Sequence, residues 1–108
     1  MNSGERIAAR HYRLRGYRIL GANVRAAGNE LDLIVRRGRR LIFVEVKERA
    51  RNDFGGAVAA VDGEKRRRVC RAAEAWLHAN PGSAAPDIRF EVAAITAGRL
   101  ERLRFGPE

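Results

Sequence analysis

The sequence has one cysteine, Cys70, in 108 residues. A lone cysteine excludes an internal disulfide and a thiolate metal cluster. Cys70 lies beside a helical apolar face, where it reads as a small, partly buried side chain. Long hydrophobic runs are also missing. A membrane helix needs about 20 apolar residues in a row, and no run here approaches that. The N-terminus lacks the apolar core of a signal peptide, so the expected compartment is the cytoplasm. Repeats, low-complexity tracts and a second domain are absent too, and residues 1–108 read as one small domain with a single core. Lysine is scarce in a chain rich in cations. Of 22 basic residues, 20 are arginine and only Lys47 and Lys65 are lysine. Where most basic positions accept arginine, a retained lysine suggests that a compact ammonium is wanted.

The net charge is +9, with a sequence pI near 11.3. That balance points to a polyanion, either nucleic acid or an anionic membrane surface. A membrane surface is disfavoured, because no helix carries bulky apolar residues opposite its arginines beyond the stripe of Val69 and Trp76.

The stretch from Glu30 to Lys47 reads as a β-hairpin. Leu31, Leu33 and Val35 alternate with Glu30, Asp32 and Ile34, and a second β-rich run follows from Leu41 to Lys47. Gly38-Arg39 suits the centre of a type II′ turn, which wants glycine first. That register sets Asp32 opposite Glu45 and Glu30 opposite Lys47, all four on one face. Directly opposed carboxylates, with Cβ atoms about 4.5–5.5 Å apart, repel. A bridging divalent cation would turn that repulsion into a binding site.

Elsewhere the reading is coarser. Asn2 to Arg15 is expected to be a helix, capped by Asn2 with Glu5 at the capping-box position. Its inward face is expected to be Ile7, His11 and Leu14, with Ala8 beside it. Tyr17 to Arg25 is expected to be a strand with Tyr17, Ile19 and Gly21 on one side, followed by a turn at Ala26-Ala27-Gly28-Asn29. Glu48 to Ala60 reads as a loop, a candidate mobile substrate-contacting segment. Asp62 to Asn80 is the clearest helix, with Val69, Ala72, Ala73, Trp76 and Leu77 at 3–4 spacing. Two strands follow, Ile88 to Thr96 and Arg99 to Phe105. Helix, three strands, helix, two strands gives an α/β fold with a mixed sheet flanked by two helices.

Asp32, Glu45 and Lys47 carry the chemistry. Phosphodiester hydrolysis needs oxygen ligands for a hard cation, a positioned water, and a positive group near the developing charge. Two carboxylates and a lysine can supply these. The structural alternative is a solvated hairpin end with a Glu30–Lys47 ion pair. Glu5 has an alternative as well: a first-turn glutamate stabilises a helix by about 0.3–1 kcal/mol through its cap and dipole. Lys65, Arg66, Arg67, Arg68 and Arg71 form either a solvated helix face or a nucleic-acid contact at a helix N-terminus. Arg10, Arg13, Arg15 and Arg18 would extend that surface. His11 and Trp76 read as packing residues, not as a ligand and a base-stacking platform.

Gly4-Glu5, Glu30-Leu31-Asp32-Leu33-Ile34, Val44-Glu45-Val46-Lys47, Phe54-Gly55 and the Lys65 helix follow the order and spacing of the YraN-like uncharacterised protein family. The chain resembles that family over nearly its whole length. The family is similar to the PD-(D/E)xK nucleases of restriction-endonuclease-like fold, especially archaeal Holliday-junction resolvases. The resemblance implies that Asp32, Glu45 and Lys47 match the D…ExK motif and that Glu5 matches the acidic residue on the first helix. It implies Mg²⁺ or Mn²⁺ on Asp32 and Glu45, helped by the backbone carbonyl of Val46. It also implies a nucleic-acid substrate, DNA ahead of RNA and including branched or junction DNA, and by analogy with the resolvases a homodimer. One departure is Asn29, where family members usually have glycine; asparagine tolerates turn geometry. Two functions are therefore carried forward: a metal-dependent endonuclease, and a nucleic-acid-binding module that keeps the scaffold without turnover. A basic protein docking on an acidic partner or membrane is a third.

Overall fold

The computed structural model describes residues 1–49 and 63–106. The chain runs α1 (Ser3–Arg13), β1 (Arg18–Ala26), β2 (Asn29–Arg37), β3 (Arg40–Arg49), α2 (Gly63–Ala79), a short 3₁₀ turn (Pro81–Ser83), β4 (Asp87–Thr96) and β5 (Arg99–Phe105). The five strands form one sheet in the order β1-β2-β3-β4-β5. Only β3 and β4 pair in parallel; the other neighbours are antiparallel. This is the α/β architecture expected, with two helices and a mixed sheet among the described residues, and it is compatible with a restriction-endonuclease-like fold.

The β2–β3 turn falls where glycine puts it. Arg37 pairs with Arg40 and Leu33 with Val44. Gly38 takes φ +57° while Arg39 stays at negative φ, the pattern of a type II′ turn. β3 lies in the middle of the sheet, and Leu41, Ile42, Phe43 and Val44 are all buried. A strand covered on both faces needs such an unbroken apolar run. On one face Ile42 and Val44 meet Ala8, Ala9 and Tyr12 of α1. On the other, Leu41 and Phe43 meet Val69, Ala72, Ala73 and Trp76 of α2, as their spacing implied. Trp76 is a core residue, edge-on to Phe43 at 5.9 Å between ring centroids.

Three local expectations are corrected. The inward face of α1 is Gly4, Glu5, Ala8, Ala9 and Tyr12, not Ile7, His11 and Leu14. Leu14 is 70% exposed. Two alanines let the helix lie close to the sheet, and Tyr12 can be buried because its hydroxyl has a partner. It donates to Glu91 at 2.7 Å. Arg102 grips the same carboxylate with two bonds, Nε at 2.7 Å and a terminal nitrogen at 2.9 Å. His11 does pack edge-on against Tyr12, yet its buried Nε2 has no hydrogen bond among the described residues.

The second correction concerns β2. Leu33 and Val35 pack on the α1 side, but Leu31 packs with Ile34 on the α2 side. Strict alternation therefore breaks at Asp32. β1 breaks at the same level, with Ala22 on the α1 side and Val24 on the α2 side. Between them Asn23 has φ +51°. The third correction is that β3 continues through Glu48 to Arg49 before the expected loop. Residues 50–60 of that loop, including Phe54-Gly55, and the expected cap Asp62 lie outside the described residues.

Candidate active site

The pairing of β2 with β3 stops at Leu33↔Val44. β2 goes on pairing with β1 as far as Asn29, and β3 with β4 as far as Arg49. The Val46 amide, just past the end of the β2–β3 pairing, donates to a side chain, Oδ2 of Asp32, at 2.9 Å. The residue expected to ligate metal is thus also the one that closes the hydrogen bonding where the two strands part.

The N-termini of both helices face this place. α1 is capped as its sequence implied. The Glu5 amide donates to Asn2 Oδ1 at 2.8 Å, and the Asn2 amide donates to Glu5 Oε1 at 3.0 Å. That capping box uses one oxygen of Glu5 and aims the carboxylate at the sheet. Asn23 donates to the other oxygen at 2.9 Å and reaches Glu30 Oε1 at 3.5 Å. Gly4 lets the helix start approach β3; a Cβ there would lie 3.1 Å from Glu48 Oε1 and 3.4 Å from Val46 Cγ1. The cap and the site readings of Glu5 are therefore compatible.

An open cleft of about 390 Å³ results, lined by Asn2, Glu5, Asn29, Glu30, Asp32, Glu45, Val46, Lys47, Lys65, Arg68 and Val69. Glu5, Glu30 and Asp32 each bring one carboxylate oxygen within 4.8 Å of the others. An all-oxygen, all-anionic donor set fits a hard divalent cation. The electrostatics fit as well. The Asp32 carboxyl is pushed up to about 7, first by burial and then by the Glu45 charge, with Glu5 adding to it. The Val46 amide opposes that shift only in part. A cation would relieve the repulsion that the fold leaves in place.

Glu45 is held differently. It is 6% exposed and adjoins Asp32. Its Oε2 lies 3.0 Å from Lys65 Nζ and 3.8 Å from Lys47 Nζ. Lys47 is therefore partnered with Glu45, while Glu30, which the structural alternative paired with Lys47, meets Asn23. Both lysines of the chain converge on one carboxylate.

Most residues singled out from the sequence come together here: Glu5, Asp32, Glu45, Val46, Lys47, Lys65 and Arg68. Arg68 also pairs with Glu64 at 2.8 Å. Arg66, Arg67 and Arg71 do not line the cleft, and Arg67 and Arg71 are exposed. Glu30 and Asn23 were missed as site residues. Glu30 lies two residues before Asp32 in the same motif, so its spacing could have flagged it. Asn23 carries no such signal, because its role depends on a left-handed backbone inside a strand. Asn29 starts β2, donates to Ala27 O at 3.0 Å and has no positive φ, so replacing glycine there leaves the turn intact.

Among the described residues no helix is long and apolar enough to cross a membrane. Comparison with known proteins gives a consistent relationship. The model of the uncharacterised protein family UPF0102 matches residues 4–95. A UPF0102 protein of Methylorubrum extorquens (strain PA1) is 46% identical over 100 residues, covering 93% of this chain and 77% of that one. Another, of Dechloromonas aromatica (strain RCB), is 43% identical over 97 residues, covering 90% and 78%. The UPF0102 protein YraN of Salmonella arizonae is 40% identical over 101 residues, covering 93% and 77%. With a family match from the first helix almost to the end of β4, and this identity across most of each relative, the chain belongs to the uncharacterised protein family UPF0102.

Proposed function

We propose that this protein is a metal-dependent nuclease that hydrolyses phosphodiester bonds in DNA, branched or junction DNA among its candidate substrates. The observation that carries the proposal is the convergence of Glu5, Glu30 and Asp32 beside Glu45 and two lysines, in one cleft of a strongly basic chain. Glu5, Glu30 and Asp32 would hold Mg²⁺ or Mn²⁺, with Glu45 and the Val46 carbonyl as the further donors the D…ExK resemblance implies. Bound there, the cation supplies Lewis-acid polarisation of a phosphoryl oxygen.

The chain's own groups do the rest. Asn23 and the Asn2 cap hold the Glu5 carboxylate in one orientation, so the donor set is preorganised. Glu45 keeps the Lys47 ammonium in the cleft. From there Lys47 can orient the attacking water or stabilise charge on the phosphorane. Lys65 and Arg68 supply positive charge at the cleft wall for the flanking phosphates, and Arg66, Arg67 and Arg71 extend it along α2. A homodimer would present two such clefts to a branched substrate, as the resolvase analogy implies.

One observation favours the non-catalytic alternative. Glu45 is already neutralised by ammonium groups, as it would be in a binding scaffold without turnover. The deciding experiment is incubation of branched, single-stranded and duplex DNA with Mg²⁺, Mn²⁺ or chelator. Cleavage that needs the metal and disappears in Asp32→Asn supports the nuclease. Salt-sensitive binding with no cleavage under any condition supports the scaffold.

A further inference from the structure

Resting on that reading, we infer that Lys65 is an exchangeable counter-ion of Glu45: cation binding displaces it, and the released ammonium then takes a substrate phosphate. Glu45 is the clustered carboxylate on which both ammonium groups meet. Its Oε2 receives Lys65 at 3.0 Å, closer than Lys47 at 3.8 Å, and the side chain is only 7% exposed. Glu5, Glu30 and Asp32 converge without it. For Glu45 to join them as a ligand, the nearer ammonium must give up that oxygen.

Lys65 is able to do so. It lies in the first turn of α2, its side chain is 31% exposed, and it lines the cleft. A flexible four-carbon stem lets an ammonium move between a carboxylate and a phosphate in a way the planar arginine fork does not favour. This gives the second lysine of an arginine-rich chain a reason to be lysine. The consequence is reciprocal coupling, in which metal raises affinity for nucleic acid and nucleic acid raises affinity for metal.

The test is Mn²⁺ titration by calorimetry on the full chain, for wild type, Lys65→Met, Glu45→Gln and the double variant. Binding of a labelled four-way DNA junction is followed in parallel in Ca²⁺ or chelator. Lys65→Met should bind Mn²⁺ about five- to tenfold more tightly, because the competing ammonium is gone. In the Glu45→Gln background the same change should add nothing, since a double-mutant cycle isolates that pair. Junction affinity should rise on adding Ca²⁺ in wild type and stay flat in Lys65→Met. Lys65→Gln keeps a polar stem and replaces Lys65→Met if melting in chelator finds the latter unfolded. Equal or weaker Mn²⁺ affinity in the Lys65 variant, with metal-dependent cleavage retained by wild type, overturns the exchange alone. Absence of both Mn²⁺ binding and cleavage in wild type overturns the exchange together with the nuclease reading.

Discussion

Asp32→Asn is nearly isosteric and removes one negative charge from the cleft. Its carboxyl is raised from 3.8 to about 7 by burial and by Glu45. A group whose folded pKa is raised loses stability as pH climbs from its unfolded value, here near 3.8, towards its folded one, and the loss is complete above it. A shift of this size has a ceiling of about 4 kcal/mol at 1.36 kcal/mol per unit. Asp32 is only partly buried at an open cleft, and solvent screening reduces the figure to about 1–2 kcal/mol. The amide oxygen of asparagine can still accept from the Val46 amide, so that bond is kept. In chelator at pH 8, Asp32→Asn should therefore be more stable than wild type by about 1–2 kcal/mol, which is about 5–10 °C in a domain of this size. The gain should shrink as pH falls and vanish near pH 4. The assay is thermal melting by circular dichroism from pH 4 to 8. With Mn²⁺ present the order should reverse, because only wild type gains from binding. A variant that melts lower than wild type at pH 8 in chelator, or a gain that does not change with pH, refutes the claim that repulsion is stored at Asp32.

Lys47→Ala should lower cleavage by at least about a hundredfold while keeping most Mn²⁺ affinity; calorimetry and nicking of branched DNA read the two quantities separately. Replacing Arg66, Arg67 and Arg68 together by Ala should weaken junction binding and flatten its dependence on salt by up to about three phosphate contacts, as anisotropy from 50 to 300 mM salt would report. Glu91→Gln breaks a buried, doubly bonded pair with Arg102 and should cost about 3 kcal/mol in urea unfolding, with no change in metal affinity. The Glu91 carboxyl is held below its usual range by its bonds to Arg102 and Tyr12, which outweigh its burial. Its stabilising effect is thus present above pH 4.5 and is lost as pH falls through the lowered value, so wild type should lose more stability than Glu91→Gln on acidification below pH 4.

Features with a local cause were legible in the chain. Gly38 set the turn and so the register from Arg37↔Arg40 to Leu33↔Val44, and Asp32 adjoins Glu45 just past its end. Asn2 and Glu5 announced the start of α1. The 3–4 spacing from Val69 to Trp76 announced the buried side of α2. The same logic failed on α1, because Ala8, Ala9 and Tyr12 are less apolar by type than Ile7 and Leu14. Helix spacing finds a stripe, but it does not say which stripe the sheet covers. It failed at Leu31 too, because one left-handed residue on the neighbouring strand breaks an alternation that the sequence of β2 carries without interruption.

The sequence by itself therefore determined the strands, the two helices and the cap of α1, the strong positive charge, and the turn that sets two carboxylates and a lysine on adjoining strands. These depend on turn geometry and side-chain periodicity, which act over a few residues. The tertiary structure alone decided that Glu30 joins Glu5 and Asp32, that Asn23 orients them, that Glu91 is buried against Tyr12 and Arg102, and that both lysines meet on Glu45. Each of these joins residues from elements distant in the chain. The partner of a charged group is set by which elements pack within reach of it, and that distance exists only once both helices lie on the sheet.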